Sequence, residues 1–401
     1  MTAILLYSPP IYKCSGGLAN FKLFFNICKK LKYSIYFCPL LKNIDSLNFF
    51  TEFNDKPINS ITRKELVDYY NVQDCDTILE EDIVTPKILR SRNNVIIYAE
   101  DIIGNPAEQK YVARWLHFFP TPPAVASYNF NTDFICFFSD CFYNLYKYVC
   151  EACGIKDQLT SNIKQLNVCR IINFEPEIYR SIKRKIILNK NFGTNAKCFT
   201  IRKLFPPYTF RKYNNCYNVL YATEIYKNHN KKIEDTTFKM NKTNDFFTKN
   251  QIKDELNSLK TNPPNVKSYD VILEFLKDKF TNNGYDYIEQ KPSSKEYINY
   301  FLNKDFFVCF DPFTFISIIA SLCGCISVIK KIHNISYDVW MNCDPFIKYG
   351  IAYGSEGIEH ALKTQHLLLD HITNMYSENE NNVINLMKNI EKHYNISIKK
   401  H

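Results

Sequence analysis

Ten glycines are spread over 401 residues and nowhere form a GxGxxG fingerprint, which disfavours a dinucleotide-binding domain. The net charge of +9 is carried by scattered lysines without a compact basic tract and interleaved aromatics, so nucleic-acid binding has no motif behind it. The fifteen cysteines follow no repeating framework, and their odd number fits reduced thiols in a cytoplasmic compartment. Cys150-Glu151-Ala152-Cys153 is a lone CxxC with no second pair at zinc spacing. His360, His366 and His371 do not fall at i, i+4 on one face, so no metal site is expected. The amino terminus, MTAILLYSPP, lacks a basic region, and its apolar run is too short for a signal peptide.

What is present is enough apolar material for folding: 46% hydrophobic residues, with 28 Tyr and 31 Phe, mark a globular chain. Its length exceeds one ordinary core and points to two domains. The basic balance fits anionic, phosphate-bearing substrates.

The most informative stretch is FFVCFDPFTFISIIASLCGCISVI, residues 306–329. The run FFVCF predicts a strand ended by Asp311-Pro312, because proline cannot donate to a ladder. The same pair predicts a helix with Asp311 as cap, Pro312 first and Thr314 in its first turn. Gly324 ends it, and Cys325–Ile329 reads as the next buried strand. The result is a βαβ unit whose helix start offers backbone amides to an anion, and that is where a diphosphate is expected. Residues 312–329 also carry no charge and precede Lys330-Lys331, the pattern of a marginal membrane span. Asp311-Pro312, the Gly324 break and the short length argue against a stable span.

Taken in order, Ala3–Tyr7 predicts a strand, followed by Ser15-Gly16-Gly17 and a helix with Leu18, Phe21, Phe24, Phe25, Cys28 and Leu31 on one face. Ser34–Cys38 is the next strand. The glycine pair either brings backbone close to a ligand or simply makes the turn. Val95–Tyr98 predicts a strand with Glu100 beyond its carboxyl end, where ligands of open α/β sheets bind. Gly104-Asn105-Pro106 reads as a turn before a helix carrying Val112, Ala113, Arg114, Trp115 and Leu116. The aromatic stretch 134–153 reads as a packed helix or strand pair with Asp140 as a buried acid, and Asn167–Ile172 as one more strand. A domain junction is expected near 189–195. Lys197–Ile201 then predicts a strand, and on spacing alone Arg202 and Lys203 at its end are either cations suited to a diphosphate or surface charges without a function. Residues 228–264 are polar, rich in Asn and Lys, and read as an extended excursion or a mobile insertion. Tyr269–Phe280 and Glu296–Leu302 predict helices, Ser355 caps another with Glu356 and Glu359 in its first turn, and Asn381–Lys400 predicts the last.

Several of these stretches resemble a known group. SPPIYKCSGGLANFKLFFNICKKL after the first strand looks like the first βα unit of a GT-B glycosyltransferase. IIYAEDIIGNPAEQKYVARWLHFFP is similar to a segment of bacterial capsule and lipopolysaccharide glycosyltransferases with a "YPE…GNP…VVRW" pattern. FTIRKL, FDPFTFISIIASLCGCISVI and IKYGIAYGSEGIEHALKT resemble second-domain motifs of that group, in order. Related sequences occur in giant-virus glycan clusters. The resemblance covers most of the chain outside 228–264. Two departures stand out: Arg202-Lys203-Leu204 replaces an Arg-Lys-Gly, and Cys309-Phe310-Asp311-Pro312 replaces a Ser-Tyr-Asp-Pro.

The resemblance implies an α/β chain of two Rossmann-like domains facing across a cleft (GT-B-like): 1–190 on the acceptor side, 195–378 binding a nucleotide-sugar, and a C-terminal helix over 381–401. Its implied activity is transfer of a sugar from a nucleotide-sugar to a glycan hydroxyl, with no metal, no cofactor and no nucleic-acid partner. The expected donor contacts are Arg202, Lys203, Asp311, Pro312, Phe313, Thr314 and Tyr353. Those on the acceptor side are Gly16, Gly17, Asn105 and Arg114, with Glu100 as the base. The departures leave a second reading open, an inactive scaffold that binds or assembles glycans.

Overall fold

The computed structural model describes residues 2–9, 16–40, 58–70, 78–117, 120, 122–152, 156–182, 199–202, 224–261, 285–287, 294–302, 304–310, 314–333, 335–343 and 348–400. Two parallel sheets organise them. The first contains β1 (Ile4–Tyr7), β2 (Ile35–Cys38), β3 (Val95–Tyr98), β4 (Tyr111–Leu116), β5 (Phe134–Phe137) and β6 (Asn167–Val168), in the order β2-β1-β3-β4-β5-β6. The second contains β7 (Phe199–Arg202), β8 (Tyr285–Tyr287), β9 (Phe306–Cys309), β10 (Ile326–Ile329) and β11 (Ile351–Tyr353), in the order β11-β10-β9-β7-β8. All described pairings within both sheets are parallel. Parallel strands are covered on both faces, which is why β1, β3, β5 and β9 are apolar and buried along their whole length, as is β10 except for the polar Ser327, itself buried.

Helices cover the faces. In the first half these are α1 (Gly16–Lys30), α2 (Arg63–Tyr70), α3 (Pro86–Arg90), α4 (Pro122–Ala126), α5 (Asp140–Ala152) and α6 (Pro176–Arg180). Helix α1 buries Leu18, Phe21, Phe24, Phe25 and Cys28 and ends in Lys29 and Lys30, cations that suit the negative end of its dipole. Asp140 opens α5 as a half-exposed residue rather than a buried acid.

Residues 111–116 form strand β4, not a helix. Their apolar spacing fits both periods, and full burial between two covered faces decides for the strand. The crossover from β3 to β4 therefore contains no helix, and its carbonyls need other donors. Arg114 supplies them. It is 1% exposed, donates to the carbonyls of Ile102 (2.9 Å) and Gly104 (2.8 Å), pairs with Asp133 at 2.6 Å and lies over the Tyr128 ring. Asn105 braces the same crossover, accepting from Tyr98 Oη at 2.8 Å and donating to the Gln109 carbonyl at 2.7 Å.

The second half begins its helices with α7 (Glu224–Lys242) and α8 (Phe246–Thr261), packed as an antiparallel hairpin where an extended excursion was expected. Then come α9 (Ser294–Phe301), α10 (Phe315–Leu322), α11 (Tyr337–Cys343), α12 (Ile358–Thr364), α13 (Leu368–Ser377) and α14 (Asn379–Tyr394). Gly324, with φ +95°, turns the chain from α10 into β10. Gly354, with φ +72°, precedes a short 3-10 turn, Ser355–Gly357, so the expected cap at Ser355 is displaced.

Helix α14 belongs to the first sheet's core, where Val383, Leu386, Met387 and Ile390 pack. Asn379 exchanges two hydrogen bonds with the backbone of Ile172, both 2.9 Å, and Tyr394 Oη accepts from Phe134 N at 3.0 Å while donating to the Val112 carbonyl. The junction near 189–195 and the helix expected at 269–280 lie outside the described residues. Among those described, no helix is long and apolar enough to cross a membrane.

Candidate functional site

Strand order locates the sites. In the first sheet the order reverses between β1 and β3, and in the second between β7 and β9. Crevices at such reversals open beyond the carboxyl ends of the flanking strands, where open α/β sheets bind ligands.

At the first reversal, α1 follows β1 and starts at Gly16. A side chain at Gly17 would meet nothing within 4 Å, so this turn of the helix faces open space. One turn further, Phe21 touches the imidazole of His117, with ring centroids 5.0 Å apart. Across the sheet, Glu100 stands two residues beyond β3. Its Oε2 accepts from the backbone N–H of His117 at 3.1 Å, and its carbonyl accepts from Tyr128 Oη. Glu100, His117 and the first turns of α1 are thus gathered at one edge.

His117 is the residue that the sequence reading missed. Its ring lies between Phe21, Trp115 and Phe138, and Nε2 is buried without a hydrogen-bond partner. Burial lowers its pKa to about 3, which keeps the imidazole neutral near neutral pH. Had 111–116 been read as a strand, the histidine directly after it would have stood at the carboxyl edge. Arg170 and Asp140, 3.7 Å apart, occupy the neighbouring end of the same edge after β6 and β5.

At the second reversal, Arg202 is the last residue of β7 and pairs in register with Cys309, the last of β9. Helix α10 starts beyond β9. Its cap is Thr314 rather than Asp311, with Oγ1 accepting from Ile316 N at 3.4 Å. Thr314, Phe315 and Ile316 are partly exposed, whereas the helix is buried from Ser317 to Leu322. Phe174 approaches Phe315 edge-on at 6.3 Å. Lys203, Asp311, Pro312 and Phe313 lie outside the described residues.

Three expected contacts are structural. Arg114 and Asn105 have their polar atoms engaged in the β3–β4 crossover, so neither is placed to meet an acceptor. Tyr353 is 0% exposed and stacked on Trp340 at 4.6 Å, and its hydroxyl is held by the backbone of Ile332 and Ile335. It fastens the loop after β10 and is not a donor contact. Among the described residues, no group of three or more His, Cys, Asp or Glu could hold a metal ion.

No family model and no curated protein matches the chain. Among solved structures, an apo structure of OtsA is similar at 11% identity and a TM-score of 0.39, over 99% of this chain and 100% of that one. An alpha,alpha-trehalose-phosphate synthase (UDP-forming) from Burkholderia vietnamiensis is similar at 10% identity and a TM-score of 0.35, over 97% of this chain and 95% of that one. Likeness at this level assigns no function.

Proposed function

We propose that the chain is a glycosyltransferase of GT-B-like arrangement, moving a sugar from a nucleotide-sugar to a hydroxyl of a glycan acceptor without a metal ion, in polysaccharide or viral glycan synthesis. The observation that carries this reading is the second reversal: Arg202 ends β7 in register with the end of β9, from which the chain enters the partly exposed, Thr314-capped start of α10. A guanidinium and helix-start amides are the donors that a diphosphate leaving group needs, and together they replace a metal. Lys203 and the 311–313 segment complete this donor side in the proposal.

The first reversal supplies the acceptor side. Glu100 takes the proton of the acceptor hydroxyl as that oxygen bonds to the anomeric carbon. The bond from that carbon to the diphosphate breaks, and the leaving electron pair is neutralised by Arg202 and the α10 amides. The open space at Gly17 leaves room for the acceptor, and Gly16 is assigned to the same side.

The test is product formation with a panel of nucleotide-sugars and glycan acceptors, followed by chromatography of released nucleoside diphosphate and extended glycan. Turnover that survives a chelating agent supports transfer without metal. Absence of product with every donor, together with retained glycan binding, would replace this reading with that of an inactive scaffold.

A further inference from the structure

We propose that a recess at the amino ends of β5 and β6 binds an acidic saccharide unit, on the edge of the first sheet opposite to the proposed transfer site. The recess has a volume of about 380 Å³ and is walled by the starts of both strands, the loops at 130–133 and 162–165, and the last turns of α14. Glu100 and His117 stand beyond the carboxyl ends of β3 and β4, so the parallel sheet itself separates the two places. Binding here needs neither donor nor turnover and does not depend on the transfer reaction.

Side-chain amides dominate the lining. Those of Asn131, Gln165 and Asn389 are exposed and hydrogen-bonded to no described residue. Asn162 and Asn167 donate Nδ2 to the carbonyls of Gln158 and Ile135, at 2.6 and 3.1 Å, and keep Oδ1 as an acceptor. His393 Nε2 lies 3.2 Å from the Thr132 carbonyl, which accepts, so in the neutral ring the proton sits on Nε2 and Nδ1 is left as an acceptor. Donors and acceptors thus alternate around the recess, as the hydroxyls of a sugar ring require, whereas an apolar ligand would strand them. Phe130, partly exposed, adds apolar surface for the C–H face of such a ring.

Charge selects the kind of sugar. Lys164 and Lys392 line the recess, both exposed and neither paired with a described carboxylate. The single described carboxylate of the lining, Asp133, is held at 2.6 Å by Arg114, which neutralises it. Lys392 also offsets the negative end of the α14 dipole, which would otherwise oppose an anion here. The balance at the recess is therefore positive, and two flexible ammoniums can reach a carboxylate or sulfate carried on the ring.

The experiment is isothermal titration calorimetry of the full chain with oligogalacturonate, oligoglucuronate and chondroitin sulfate oligosaccharides, against maltotriose and inorganic sulfate. At least one acidic oligosaccharide is expected to bind about tenfold or more tighter than either maltotriose or sulfate, and less tightly as salt is raised. The carboxylate-bearing and sulfate-bearing probes distinguish which anion the lysines take. Lys164→Gln with Lys392→Gln, and separately Gln165→Ala with Asn389→Ala, are each expected to weaken that binding about tenfold or more. These side chains are exposed, so both variants should keep the parent's circular dichroism and melting temperature. Absence of binding by every acidic oligosaccharide, equal binding of maltotriose, equal binding of sulfate, or binding that either double variant leaves intact would each overturn the proposal.

Discussion

Glu100 and His117 are joined by a hydrogen bond in which the histidine backbone N–H donates to Glu100 Oε2 at 3.1 Å. Tyr128 Oη holds the carbonyl of the same glutamate. The residue is thus fastened at both ends, and its carboxylate is drawn across the carboxyl edges of β3 and β4. A carboxylate held in this way at a sheet reversal is the feature on which the proposed base rests.

Glutamine keeps an oxygen that can accept from His117 N–H but removes the basicity. Glu100→Gln is expected to lower the transfer rate about 100-fold or more, with donor affinity and melting temperature unchanged. Initial rates and donor titration on the same preparation check this. Full activity in the variant would remove Glu100 as the base.

His117 makes stability depend on pH. Its folded pKa of about 3 lies below the ordinary histidine value of 6.5, so in that window the unfolded chain binds more protons than the folded one. Stability contributed by the neutral ring is complete above pH 6.5 and falls as pH drops toward 3, with a slope of up to about 1.4 kcal/mol per pH unit. Urea denaturation at several pH values should show this slope, and His117→Phe should flatten it.

Arg114 and Asp133 form a buried ion pair that holds a helix-free crossover. Arg114→Ala leaves a buried carboxylate and two carbonyls without their donor. The expected loss is about 3–5 kcal/mol of unfolding free energy, with no selective rise in acceptor KM. A loss of acceptor affinity at unchanged stability would restore Arg114 to the acceptor side.

Much of the fold was legible where burial is simple. Ala3–Tyr7, Val95–Tyr98 and the FFVCF run were readable as strands because continuous apolar runs bounded by Pro, Asn or Asp suit a sheet covered on both faces. Segment 111–116 misled because Val112, Ala113, Trp115 and Leu116 satisfy the helical spacing as well, and that error hid His117 at the sheet edge. The α7–α8 hairpin was missed although Ile233 and Met240, and Ile252, Leu256 and Leu259, recur at helical spacing, because the polar, Asn- and Lys-rich composition of the stretch was read ahead of that spacing.

The positions of Gly16 and Glu100 beyond strands, and of Arg202 at the end of β7, were legible in the sequence. The role of Tyr353 was not, because it depends on Ile332, Ile335 and Trp340, partners that no local pattern reveals. The helix cap fell to Thr314 instead of Asp311, a shift of three residues within one correctly placed helix.

Thermal unfolding of the chain with free uridine, guanosine, adenosine and cytidine diphosphates tests the central claim most directly. At least one is expected to raise the melting temperature, by an amount corresponding to about 2.7 kcal/mol when present at one hundred times its Kd, and Arg202→Ala should abolish that shift. A melting temperature that none of the four diphosphates moves, or a shift that Arg202→Ala leaves intact, would contradict the account.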